Sequence, residues 1–287
     1  MIFLENEFLK IAIASKGAEL KSVIDKKNNF EFLWQADPTI WRRTSPILFP
    51  VVGKPFNDQL FINGKLYEMP QHGFARDMDF ELLERSESQL IFHLVSSDAT
   101  FLKFPFRFEL RLIYTLTKNT LECGYEVKNI GNERMCFSIG AHPAFSLPTY
   151  DLNDYNIEFE KIEHAERFLL TDGLLNNKTE PVFRKERLIE LDKSLFDNDA
   201  IVFKDIQSNK IKLRSKRSSY EIEMRFKDFQ YFGIWCKKNC EQFICLEPWC
   251  GIAGTNGEQI PIEQKEGINQ LLPNEIFERS YSISFNS

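Results

Sequence analysis

Three observations predict an all-β protein, a large antiparallel β-sandwich with few short helices. Apolar and polar residues alternate along several segments, helical periodicity is scarce, and 27 phenylalanines among 287 residues supply a bulky, strand-favouring core. The alternation is clearest in FRFELRLIYTL (106–116), where Phe106, Phe108, Leu110 and Leu112 share one face and Arg107, Glu109 and Arg111 the other. YEIEMRFKDF (220–229) repeats it with Tyr220, Ile222, Met224 and Phe226, and SYSISF (280–285) sets Tyr281, Ile283 and Phe285 against serines. Shorter strands are expected at FLKIAIAS (8–15), QLIFHLVS (89–96), TLECGYEVKN (120–129) and IKLRS (211–215). Each reads as an antiparallel strand with one wet face.

The helical exceptions are a short turn around Asp192–Phe196 and a second at DPTIW (37–41). The polar, turn-rich stretch 148–190 reads as a set of surface excursions rather than a linker. Without a repeat, a low-complexity tract or a compositional break, residues 1–287 are expected to form one domain.

Composition limits the function classes. The net charge is −6, from 36 basic and 42 acidic residues spread along the chain, and no basic block suited to a phosphate backbone is present. Nucleic acid is therefore not an expected partner. No apolar run approaches the roughly 18 residues of a membrane span, and the first twenty residues lack a signal-peptide pattern. The expectation is a cytoplasmic protein whose six cysteines are reduced thiols. Those cysteines contain no C-x-x-C spacing, so no structural metal is expected.

The chemistry-bearing residues lie in loops marked by glycine and proline. They are His72 in QHGFARD (71–77), His142 in IGAHPAFSLP (139–148) and Glu247 in ICLEPWCG (244–251). Only four histidines occur in the chain, and His93 and His164 sit in periodic or polar surroundings that suit structural roles. An imidazole and a carboxylate are well suited to pass protons near neutral pH. A carboxylate closing the apolar run Phe243–Leu246 is costly unless it is used or paired, and Arg43 or Arg76 could pair with it. Arg76 could bind a phosphate or pair with Asp77 or Asp79, since a guanidinium fork suits both acids. Arg42, next to Arg43, reads as a solvated neighbour. Trp249 and Phe145 adjoin the key residues and could offer a bound ligand an apolar face. Serine-hydrolase, dinucleotide, NTPase and zincin motifs are missing.

These segments together resemble the LacX-type branch of the aldose 1-epimerase (galactose mutarotase) superfamily. The similarity runs in order through GAELKSV (17–23), WRRTSPILFPVVGK (41–54), HGFARD, GAHPAF, LFDNDAIVF (195–203), GIW (233–235), ICLEPWCGIA and KEGINQL (265–271). The resemblance implies a β-supersandwich that interconverts sugar anomers without cofactor or metal, as a monomer or homodimer. It implies that His142 is the general acid on the ring oxygen and Glu247 the general base on the anomeric hydroxyl. His72 and Arg43 then bind the sugar, with Arg76 and Trp249 as further contacts. The hexose-6-phosphate mutarotase branch carries a similar HGFAR, so the substrate could be a hexose or its 6-phosphate. A non-catalytic sugar-binding protein on the same fold is the alternative of a different class. The chain departs from the family pattern after Glu247, at Cys250, at Ala253–Gly254 and in the loop 254–264. The family's sugar-binding aspartate has no clear counterpart; Asp228 lies at a plausible strand end.

Overall fold

The computed structural model describes residues 1–257 and 259–287; Glu258, within the divergent loop 254–264, lies outside the described residues. Two large antiparallel sheets face each other, as the alternation predicts. One has nine strands and runs, edge to edge, Glu186–Glu190, Tyr155–Glu163, Lys210–Ser215, Glu221–Arg225, Ile276–Asn286, Thr120–Asn129, Phe108–Thr117, Gln89–Val95 and Glu81–Arg85. The other has eight: Leu174–Pro181, Glu166–Thr171, Ile201–Lys204, Tyr231–Trp235, Phe243–Cys250, Ile139–Ala141 and Ile47–Leu48 in a row, with Ala144–Ser146 also pairing with Phe243–Cys250.

Phe108–Thr117 alternates buried and half-buried positions in the period the sequence shows, so the nine-stranded sheet keeps one wet face. Its inner face meets the other sheet through Phe159 on Phe203 (ring centroids 5.9 Å apart), Phe226 on Phe232 (4.4 Å) and Phe49 on Phe108 (5.0 Å). A four-stranded sheet over residues Ile2–Glu31 closes one side, with Phe32 packed on Phe285 and the Tyr114 hydroxyl donating to the Ala18 carbonyl.

The eight-stranded sheet is different: Phe243–Cys250 is buried at every position. Ile244, Leu246 and Cys250 point into the main core, whereas Trp249 joins a second apolar cluster with Leu48, Val52, Val202 and Tyr231. That second face carries the pocket.

Stretch 148–190 is not merely surface excursion. It holds the strands Tyr155–Glu163, Glu166–Thr171, Leu174–Pro181 and Glu186–Glu190, which extend both sheets at one end. The sequence signal is weak in the outermost strands, which bury few side chains: Glu186–Glu190 buries only Ile189, whereas Tyr155–Glu163, paired on both sides, buries Tyr155, Ile157 and Phe159 in alternation. The Asp192–Phe196 turn is a short 3-10 helix over Lys193–Phe196, with Asp192 accepting from the Ser194 backbone N–H. DPTIW forms one turn rather than a helix: the Ile40 and Trp41 N–H groups both donate to the Asp37 carbonyl, and the turn does not continue. No helix among the described residues is long and apolar enough to cross a membrane.

Candidate active site

Strand register brings the two central residues together. Ile139 and Gly140 pair with Cys250 and Trp249, and after three intervening residues Ala144 pairs with Cys245. The register is therefore unbroken, and His142 falls opposite Glu247. Pro143, which has no N–H, occupies a position of this interrupted edge where a ladder donor is dispensable. On its other side Glu247 pairs with Gly233, and Gly233 with Val202. Directly opposed residues project to the same face. One row across the sheet thus carries imidazole, carboxylate and a glycine gap.

That gap has a purpose. A Cβ on Gly233 would lie 2.7 Å from the Trp249 ring, and one on Gly140 would lie 2.6 Å from its other edge. Glycine at both positions lets the indole lie across three strands as an apolar floor. The cavity above it measures about 400 Å³, with His72, Arg76, His142, Trp235, Glu247 and Trp249 among its lining residues.

Nε2 of His142 lies 3.3 Å from Oε2 of Glu247, and both side chains are almost fully buried. The two atoms are close but not aligned as a hydrogen bond; Glu247 Oε2, His142 Nδ1 and Trp249 Nε1 all lack partners. Unpaired buried polar atoms are expensive, and three of them converging on one cavity mark a place built for a polar ligand. Burial drives the Glu247 pKa well above 4.5, the Asp199 carboxylate adds to the rise, and the Trp249 indole opposes it. Burial likewise lowers His142 from 6.5 to about 3, reinforced by the positive fields of Arg76 and Arg43. The opposite directions of the two shifts favour one proton on the pair over none or two, and that proton can sit on either partner at no change in net charge.

His142 stacks on Trp41, with centroids 5.0 Å apart at 27°, and meets Trp235 edge-on at 5.7 Å. His72 stands perpendicular to it at 5.5 Å. The HGFAR turn is held by strained backbone. His72 has φ of +66° and Gly73 +71°, and a Cβ on Gly73 would meet the Phe49 carbonyl oxygen at 2.2 Å. The His72 N–H donates to the Gly53 carbonyl (2.9 Å), and the Gly53 N–H donates back to His72 Nδ1 (3.2 Å). Accepting at Nδ1 leaves the neutral ring its proton on Nε2, which lies 3.3 Å from the Gln71 side-chain amide. Burial, with His142 and the two arginines, holds His72 well below 6.5, so that ring stays neutral.

Arg76 lines the cavity and donates to the Gln71 carbonyl at 2.6 Å, while its Nε has no partner and lies 3.9 Å from Asp77. Burial lowers its pKa to about 10, which leaves it a cation. Arg43 is tied to Asp77 at 3.0 Å and is not part of the cavity lining; neither arginine pairs with Glu247, whose close partner is His142. Arg42 is exposed. Phe145 pairs with Ile244 and is fully buried in the main core, away from the cavity; Trp249 alone supplies the apolar face expected of the two. His93 lies between Glu81 and Glu109 on the wet sheet face, and His164 is exposed.

Several lining residues were not singled out in the sequence: Trp41, Trp235, Lys237 and Asp199. All but Lys237 lie inside the family-like segments, so the signal was present without a motif to mark the individual positions. Asp228 is on the opposite sheet with Arg279, 3.8 Å away, whereas Asp199 is the aspartate at the cavity. The GAELKSV segment acts from below: Gly17 packs under the Arg76 backbone and Glu19 accepts from the Thr44 and Ser45 N–H groups. Among the described residues, His142, Cys245 and Glu247 are the one grouping of three metal-ligating side chains, their donor atoms within 4.8 Å of one another. A cation there would occupy the same imidazole and carboxylate that are placed to move a proton.

The fold is thus a large β-sandwich with a buried histidine–glutamate pair facing a cavity on one sheet. The comparisons are specific. The family model described as aldose 1-epimerase matches residues 1–269, and the chain belongs to that family. Protein LacX of Lactococcus lactis subsp. lactis, in its chromosomal form, is 33% identical over 298 residues, covering 99% of this chain and 98% of its own. A galactose mutarotase related enzyme from Lactobacillus acidophilus superposes with a TM-score of 0.95 at 34% identity, over 100% of this chain and 97% of its own. A galactose mutarotase-like protein from Lactobacillus casei gives 0.95 at 32%, over 99% of each chain.

Proposed function

We propose that the protein is a mutarotase that interconverts the α and β anomers of a hexose, with His142 as acid and Glu247 as base. The observation that carries this is the His142–Glu247 pair: opposed in register, 3.3 Å apart and lining a cavity. Opening a cyclic hemiacetal needs one proton delivered to the ring oxygen and one removed from the anomeric hydroxyl. With the shared proton on His142, the imidazolium donates to O5 while the Glu247 carboxylate accepts from O1. The C1–O5 bond breaks, the aldehyde turns about C1–C2, and the reverse transfers close the ring on its other face. The proton count is unchanged over the cycle, so the reaction needs no cofactor. Each transfer contributes roughly 10²–10⁴-fold, which suffices for a reaction already spontaneous in water. Trp249 supplies the apolar floor, and His72 Nε2 a donor for a hydroxyl.

Saturation-transfer NMR on a panel of aldoses, α-D-glucose and α-D-galactose included, reads anomer exchange directly. Acceleration above the buffer rate for at least one sugar is the expected result; none for any free or phosphorylated aldose defeats the reading. A phosphorylated hexose is the second reading, favoured by the cations Arg76 and Lys237 on the lining. Arg76→Ala then lowers kcat/KM for the 6-phosphate by roughly tenfold or more and leaves the free sugar little changed, since a charge-assisted contact to phosphate is lost.

The pH profile separates this pair from an independent histidine. An imidazole acting alone at 6.5 would lose its proton, and the rate, above that pH. Here the pair gains a second proton only near the lowered His142 value of about 3, and loses its only proton above the raised Glu247 value. kcat/KM is expected to be retained down to about pH 3, below the ordinary carboxylate value of 4.5. An acidic limb at 4.5 contradicts the shared-proton state.

A further inference from the structure

Outside the proton-transfer pair, the clearest chemistry sits in the turn that joins the two central strands of the eight-stranded sheet. Tyr231–Trp235 ends at Cys236, and the chain reverses through Lys237, Lys238 and Asn239 to Cys240 before entering Phe243–Cys250. The Cys240 N–H donates to the Lys237 carbonyl at 2.8 Å, and Asn239 takes the left-handed φ of +62° that this reversal needs. The Cys236 thiol, almost fully buried, donates to the Cys240 carbonyl at 2.6 Å. Cys240, 8% exposed against 1% for Cys236, is the less buried of the two.

The same turn walls the candidate active site. Lys237 lines the cavity and its Nζ donates to the Ile40 carbonyl at 2.6 Å, next to Trp41. Trp235, just before Cys236, meets Trp41 edge-on at 5.5 Å and His142 at 5.7 Å. Whatever moves this turn moves the aromatic packing of His142.

We propose that Cys236 and Cys240 are a modification site: they close to a reversible disulfide that shifts the turn and slows the chemistry of the adjacent pocket. Two thiols flanking a three-residue reversal, with one sulfur already against the other residue's carbonyl, need side-chain rotation and a small shift of that carbonyl to meet. The bond replaces the thiol–carbonyl hydrogen bond, so the Lys237 anchor on Ile40 is strained as it forms. Cys240 is the attacking sulfur. The Cys236 thiol, the Gln242 and Phe243 N–H groups and the Lys237 ammonium all favour its thiolate, against burial. The oxidant class is a low-molecular-weight disulfide. The Cys240 thiolate attacks one of its sulfurs and expels a thiolate; the Cys236 sulfur then gives up its proton, attacks Cys240 and expels the second. One small disulfide becomes two small thiols as two protein thiols become a disulfide.

The effect on rate rests on the mutarotase reading; formation of the bond does not. The full chain is incubated with oxidised glutathione and alkylated under denaturing conditions, and its thiols are counted. Four of the six should remain. Digestion after Lys237 and Lys238 separates the two cysteines, so the expected product is a disulfide-linked peptide pair that dithiothreitol releases. Tryptophan fluorescence should change in parallel, and anomer exchange should fall roughly tenfold, the scale of a sub-ångström misplacement in a catalytic wall. Cys240→Ser and Cys236→Ser should keep the reduced rate and fluorescence and lose the response. The proposal is overturned if six thiols survive, if the linked peptides pair other cysteines, or if the bond forms without change in fluorescence. A protein with no exchange on any sugar that still forms the Cys236–Cys240 bond with the fluorescence change defeats the mutarotase reading and leaves this site standing.

Discussion

Glu247→Gln should cut anomer exchange by roughly 10²–10⁴-fold, the range for loss of a positioned proton-transfer group, while sugar binding persists. Glutamine keeps the shape of the side chain and removes its ability to take a proton from O1. The same substitution should raise stability, in a pH-dependent way. The Glu247 pKa is raised by burial, so the folded state favours the protonated acid and pays increasingly as pH climbs from 4.5 toward the raised value. The variant has no such dependence. Its Tm should therefore match or trail the parent's below pH 4.5 and exceed it by a margin that widens through neutrality. Thermal unfolding at a series of pH values checks this. A margin that shrinks as pH rises would mean that Glu247 is held ionised in the fold. Sugar binding without exchange in the parent itself would instead favour a non-catalytic binding protein.

His142→Asn should produce a rate loss of the same order, and the double variant with Glu247→Gln should be scarcely slower than either single one. The two groups lie 3.3 Å apart and divide one acid–base cycle between them, so removing one leaves the other unable to complete it. Residues that act as a unit lose rate non-additively, whereas independent contributors would multiply to roughly 10⁴–10⁸-fold. Exchange rates for the four proteins close the cycle, and multiplied losses would refute the coupled pair. The His142 ring also stacks on Trp41, so its loss should alter tryptophan fluorescence, whereas Glu247→Gln leaves that stack in place.

Legibility followed the physical origin of each signal. The long central strands were plain because each has one wet face, which writes polar residues between apolar ones. Phe243–Cys250 carried no such alternation, since both of its faces are covered. It was recognisable through LEPW rather than through period. The outermost strands within 148–190 were hidden for the opposite reason, as edges that bury little. Among the site residues, His72 and His142 stood out as histidines in Gly/Pro-marked loops, and Glu247 as a carboxylate closing an apolar run, although the fold places it within the strand Phe243–Cys250. Trp41 and Trp235 looked like core aromatics, and nothing local shows that their faces meet a histidine. Asp199 lay in a segment already matched to the family, yet an exposed aspartate in a turn has many ordinary explanations. Arg43 shows the converse: its motif suggested sugar contact, and the fold ties it to Asp77 beside the cavity.

By itself the sequence determined the fold class, the family and the residue types able to move protons. Those rest on periodicity and on short motifs, which are local properties of the chain. Tertiary structure alone decided which of these residues act on one another. An unbroken register places His142 opposite Glu247, two glycines in neighbouring strands clear room for Trp249, and burial displaces both pKa values so that one proton serves the pair. Register and burial are set by residues more than a hundred positions apart in the chain, and the chemistry of the site depends on both.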